Sequence, residues 1–136
     1  MYKIVKKINF SYAHRLMGHK GKCANLHGHN GLVEVEISGP SLDNMGMLVD
    51  FAQVKAMVTN WIEDHLDHRT ILKADDPLSE ILAGTGEKMF LMDRHPTAEN
   101  LARIIFQAAG SQGLPVTAVR FWETPASMAE YSEKEC

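Results

Sequence analysis

A chain of 136 residues, 45% of them hydrophobic, fits one globular domain spanning 1–136 with a core of ordinary size. Its formal net charge of −3 gives no electrostatic reason to expect nucleic acid or an anionic membrane as partner. The apolar runs are too short to span a bilayer, the N-terminal MYKIVKKINF lacks a signal-peptide core, and two cysteines, Cys23 and Cys136, make no secreted disulfide framework. The expectation is a cytoplasmic protein with reduced thiols, with a single bridge between the two cysteines left open.

Tyr2, Ile4, Lys6, Ile8 and Phe10 share one side of a period-2 pattern, which predicts a first strand. Residues 15–28 carry three glycines and several polar groups and read as a loop. Val33, Val35 and Ile37 alternate with Glu34 and Glu36, a second strand with one solvated face. Gly39-Pro40 and Asp43-Asn44 punctuate a connection, and Met47–Phe51 is a short apolar strand candidate. From Ala52 to His65 the period changes: Val54, Met57, Val58, Trp61 and Ile62 form a helical stripe that continues to Leu66. Asp76-Pro77 opens a short helix holding Ile81 and Leu82, broken by Gly84 and Gly86, and Met89–Met92 is a brief extended piece. Thr97 reads as the N-cap of a second long helix, with Leu101, Ile104, Ile105 and Ala108 as its buried stripe and Gly110 as its stop. Val116–Glu123 and Ser127–Tyr131 close the chain as two strands. This order predicts an α+β layer: an antiparallel sheet of four or five strands with two long helices packed on one face. The sheet's exposed edges point to an oligomer that covers them.

The chemistry concentrates in CANLHGHN, residues 23–30. His27 and His29 are two apart, so on an extended segment both imidazoles face one point. His14, in FSYAHRL, follows the first strand, and antiparallel pairing of the first two strands returns it toward that point. Three neutral imidazoles with no fourth protein ligand make a catalytic zinc arrangement, and an all-imidazole set puts zinc ahead of iron or nickel. The competing interpretation is three separate surface or hydrogen-bonded histidines. Cys23 is either a thiolate base or nucleophile beside the metal, or a bystander thiol. In HLDHRTIL, Asp67 and His68 are either an oriented Asp–His pair or a polar helix end. Glu123, in RFWETP, is either a carboxylate accepting paired N–H donors from a planar heterocycle or an edge-strand charge.

Together FSYAHRL, CANLHGHN, MGMLVDF, LDHRTIL, PTAENLA and WETP, in this order and spacing over nearly the whole chain, resemble the 6-pyruvoyltetrahydropterin synthase / 6-carboxytetrahydropterin synthase family. The resemblance implies a tunnelling fold, in which subunits join their sheets into an oligomeric barrel, a homohexamer made of two trimers. It implies that His14, His27 and His29 hold zinc, that Cys23 is the catalytic cysteine with Asp67 and His68 as its partners, and that Glu123 anchors the pterin, with Thr97 lining the pocket. The implied substrate is a small-molecule pterin triphosphate, 7,8-dihydroneopterin triphosphate, which Arg15, Lys20 and Lys22 either meet or leave to a solvated loop. The three residues between Cys23 and His27 favour the carboxy-forming branch, on the way to queuosine and other 7-deazapurines, over the pyruvoyl-forming one; a non-catalytic zinc- or purine-binding module is the remaining alternative. Two departures bear on substrate preference: Gly31 stands where many members carry an aromatic residue, and Tyr12 where a small one is usual. No G-x-G-x-x-G follows a strand, so no nicotinamide or flavin is expected.

Overall fold

Two strands of 13 residues each, β1 (Tyr2–His14) and β2 (His27–Gly39), set the frame in a computed structural model that describes residues 1–133. They pair antiparallel without a break from Tyr2 opposite Gly39 to His14 opposite His27. The remaining elements are α1 (Phe51–His65), β3 (Arg69–Lys73), α2 (Leu78–Gly84), β4 (Met89–Met92), α3 (Ala98–Ser111), β5 (Ala118–Thr124) and β6 (Ser127–Tyr131). The six strands form one sheet in the order β4-β3-β1-β2-β5-β6.

Period-2 alternation decides which face of this sheet is buried. Ile8, Phe10 and Tyr12 of β1, Val33, Val35 and Ile37 of β2 and Val119 and Phe121 of β5 are buried on one face. Val54, Val58 and Ile62 of α1 and Leu101, Ala102, Ile105 and Ala109 of α3 close over them, so both long helices cover that face, as expected. The other face is polar. There Arg120 donates to Glu34 (3.3 Å), Glu36 (3.0 Å) and Glu130 (3.0 Å). Burial pushes the Glu36 carboxyl up, but its hydrogen bonds from Arg120, Lys3 and Thr117 outweigh that and hold it below its ordinary range.

Four expectations are corrected. The sheet is mixed rather than wholly antiparallel, because β1 pairs parallel with β3 and β3 pairs parallel with β4. It has six strands rather than four or five because RTILK, to which the sequence pattern assigned no element, forms β3. Met47–Phe51 is not a strand: Asp50 caps α1 by accepting from Ala52 N, and Phe51 is already helical. Finally, β1 runs to His14 and β2 starts at His27, so the loop shrinks to residues between them and all three candidate histidines lie on strands. The disulfide question falls on Cys136, which lies outside the described residues; Cys23 has a free, half-buried thiol.

Candidate active site

His14 and His27 face each other across the last pair of the β1–β2 ladder, and His29 lies two residues up the same face of β2. Their ring centroids are 4.6 Å (His14–His27), 5.1 Å (His14–His29) and 5.0 Å (His27–His29) apart. One nitrogen from each ring falls within 4.8 Å of the others. The strands achieve this because a paired 13-residue ladder fixes both the register and the side of every side chain.

The rings are oriented by backbone carbonyls. Nδ1 of His14 donates to the carbonyl of Pro96 (2.7 Å), and Nδ1 of His27 to the carbonyl of Asn25 (2.6 Å). Each bond fixes the tautomer that leaves Nε2 as a bare lone pair, which is how ligating histidines are held. Burial, with His27 and His29 adding to it, pushes the His14 imidazolium down to about 4 against the opposing Pro96 carbonyl, so His14 is neutral at ordinary pH. The Nε2 atoms of His14 and His29 are buried without a hydrogen-bond partner among the described residues. Such nitrogens are costly unless something binds them. Three imidazoles, a bare buried nitrogen on two of them and a carbonyl behind two of them fit a divalent ion with borderline-soft preferences.

Glu123, at the end of β5, brings Oε1 to 3.9 Å from Nε2 of His14. Because His14 is neutral, this is no ion pair, and the carboxylate is free to accept donors from elsewhere. Glu123 lines an open groove of about 400 Å³ with Ala98, Glu99, Ser127 and Met128. Thr97 caps α3 by accepting from Asn100 N (3.2 Å) and lines a second hollow of about 290 Å³ with Leu16, His19 and His95. Thr97 thus follows directly on the carbonyl that orients His14.

Cys23 sits in a single 3-10 turn, Lys22–Ala24, inside the β1–β2 loop. Its carbonyl accepts from Leu16 N (2.7 Å), two residues beyond His14, which folds the turn back over the mouth of the hairpin. Asp67 and His68 do form a pair: His68 Nδ1 lies 2.9 Å from Asp67 Oδ1, which also accepts from Ser11 N at 3.1 Å. His68 has φ 56° and its backbone N donates to Ser11 O (2.7 Å), while its ring is 80% exposed. Among the described residues the side-chain hydrogen bonds of this pair are with each other and with the β1 backbone, and none is to the three imidazoles. Arg15 is committed elsewhere, to a two-pronged pair with the buried Asp76, which leaves Lys20 and Lys22, both exposed, as the loop's cations without an ion pair among the described residues.

The carbonyls of Pro96 and Asn25 went unread in the sequence, since a backbone group carries no residue signature. In the sequence Tyr12 stands out only by its size. Its ring packs at 5.1 Å from His14 and 5.6 Å from His29, and burial and then the Glu123 charge hold its phenol above the ordinary value.

A curled mixed sheet with two long helices over one face, and three imidazoles converging at the end of its central hairpin, defines a tunnelling-fold protein with a trihistidine cluster suited to a metal ion. Comparison with known proteins agrees. The sequence profile of the 6-pyruvoyl tetrahydropterin synthase family matches residues 3–134, and the chain belongs to that family. The 6-carboxy-5,6,7,8-tetrahydropterin synthase of Haemophilus influenzae is 38% identical over 98% of this chain and 100% of its own. That of Rickettsia conorii is 36% identical over 96% and 99%. Among solved structures, the 6-pyruvoyl tetrahydropterin synthase of Caenorhabditis elegans superposes with a TM-score of 0.74 at 27% identity, covering 98% of this chain and 96% of that one.

Proposed function

We propose that the chain is a zinc-dependent 6-carboxy-5,6,7,8-tetrahydropterin synthase, converting 7,8-dihydroneopterin triphosphate and water to 6-carboxytetrahydropterin, acetaldehyde and triphosphate on the way to queuosine and other 7-deazapurines. The observation that carries this is full-length similarity, at 36% and 38% identity, to enzymes of that name. The site's chemistry supports it.

His14, His27 and His29 would hold the zinc, which supplies Lewis-acid polarisation when bound. Cys23, as thiolate, takes a proton from the substrate side chain. His68, oriented by Asp67 through the 2.9 Å contact, carries protons onward. Within one chain the His68 ring points to solvent while Asp67 holds it from the β1 side, which suits service to a site completed by a neighbouring subunit of a homohexamer. Glu123 accepts the paired N–H donors of the pterin, and Thr97 borders the pocket. Loss of triphosphate breaks a carbon–oxygen bond; the ring is reduced at the expense of the side chain, and cleavage of a carbon–carbon bond releases acetaldehyde.

The pyruvoyl-forming reaction, which eliminates triphosphate without side-chain cleavage, is favoured by one observation, the name of the Caenorhabditis elegans structure. Incubation of the purified protein with 7,8-dihydroneopterin triphosphate separates the two. Acetaldehyde with 6-carboxytetrahydropterin is the expected outcome; a diketo tetrahydropterin without acetaldehyde would transfer the chain to the other branch. No triphosphate release would leave a non-catalytic binding module.

A further inference from the structure

Three buried polar atoms without a hydrogen-bond partner among the described residues share one neighbourhood: Nε2 of His14, Nε2 of His29 and the hydroxyl of Tyr12. The metal site accounts for the two nitrogens. The hydroxyl needs its own explanation, because a buried O–H with no partner is destabilising relative to the phenylalanine that would fill the same space.

The position of Tyr12 narrows that explanation. It lies two residues before His14 on the same face of β1 and directly opposite His29 on β2. It is only 4% exposed. A Cβ at position 31 would lie 3.1 Å from the Tyr12 ring and 3.2 Å from Phe121, so the Tyr12 ring occupies the space that Gly31 leaves free. The β2–β5 ladder pairs Leu32 with Trp122, which brings Gly31 alongside Glu123. The ring therefore lies over β2, 5.6 Å from His29 and 5.6 Å from Phe121, and Phe121 shares its face of β5 with Glu123.

A carboxylate only accepts hydrogen bonds. It can hold the N–H groups of a pyrimidinone edge, but the carbonyl flanking those groups needs a donor. We propose that Tyr12 is a substrate-binding residue of this site, its O–H donated to the ring carbonyl beside the N–H groups that Glu123 accepts. This rests on the pterin reading above and adds to it a contact that depends on the pairing of Tyr12 with Gly31.

The test uses the zinc-loaded protein and neopterin, an oxidised, fluorescent pterin that does not turn over. Wild type is expected to bind it, and Tyr12→Phe to bind about tenfold more weakly. Metal content should be unchanged, and the melting temperature of the ligand-free variant equal or higher, because an unpartnered hydroxyl has been removed. A purely structural tyrosine would show the reverse: equal binding and a lower melting temperature. Either of those two results overturns the proposal. In wild type labelled at tyrosine Cζ, which has three tyrosines, the Tyr12 resonance should move on neopterin binding while those of Tyr2 and Tyr131 stay; an unmoved Tyr12 resonance also overturns it. Absence of neopterin binding to wild type would overturn the pterin reading itself, and the role of Tyr12 with it.

Discussion

His14 enters the cluster already neutral, and that has a consequence in acid. Burial holds its pKa at about 4, below the 6.5 of an exposed imidazole. Between those values the unfolded chain takes up a proton that the folded chain refuses, so in metal-stripped protein this group's contribution is fully present above pH 6.5 and is lost as pH falls toward 4. Histidine ring spectra of that protein should show no His14 titration between pH 5 and 8; a midpoint near 6.5 would mean the ring is hydrated rather than buried. Substitution separates the roles of its neighbours. His27→Ala should abolish stoichiometric metal by elemental analysis. Cys23→Ala should keep metal and fold yet lose turnover by about three orders of magnitude or more, and normal turnover would remove the thiol from the chemistry. At this scale the sequence was informative where side chains alternate: H-x-H and His14 declared a shared face before any fold was known. It was silent about what orients them, because the carbonyls of Pro96 and Asn25 belong to the backbone, and about Arg15, whose tie to Asp76 spans 61 residues of sequence.

Among the elements, α3 is the one whose N-terminus serves both stability and site. Thr97 accepts from Asn100 N while its neighbour Pro96 holds His14. Thr97→Ala should cost about 1 kcal/mol in a denaturant titration; no loss would mean the cap is made by solvent. Position 31 of β2 tests the packing from the other side. Gly31→Ala brings a methyl to 3.1 Å of one ring and 3.2 Å of another, so those rings must move, at about 1–3 kcal/mol. Helices α1 and α3 and the strands β5 and β6 were readable in outline because their periods are long or clean. β3 was not: Thr70, Ile71 and Leu72 are all buried, so the strand shows no alternation. Its parallel pairing comes from a crossover through α1, which no local pattern announces. Met47–Phe51 misled for the opposite reason, since a short apolar run reads alike whether it becomes a strand or the lead-in and first residue of a helix.

At the scale of the molecule, β4 and β6 are the outer strands of the sheet, and His68 stands 80% exposed beside β1. Both features suit an assembly in which sheets continue from chain to chain and one subunit's Asp67–His68 pair serves the next. Sedimentation should then report a species of several chains, six on the hexamer reading. Cys23→Ala and His68→Ala, each inactive alone, should regain part of the wild-type turnover when refolded together. A monomer, or no recovery in the mixture, would return the whole site to one chain. The central claim nevertheless stands on three rings from one hairpin. Anomalous scattering from crystals of the purified protein, collected on both sides of the zinc absorption edge, tests it directly. A single zinc peak about 2.0–2.1 Å from a ring nitrogen of each of His14, His27 and His29, with no sulfur bound, is the expected result. No peak at that point, or a zinc coordinated by Cys23, would contradict it.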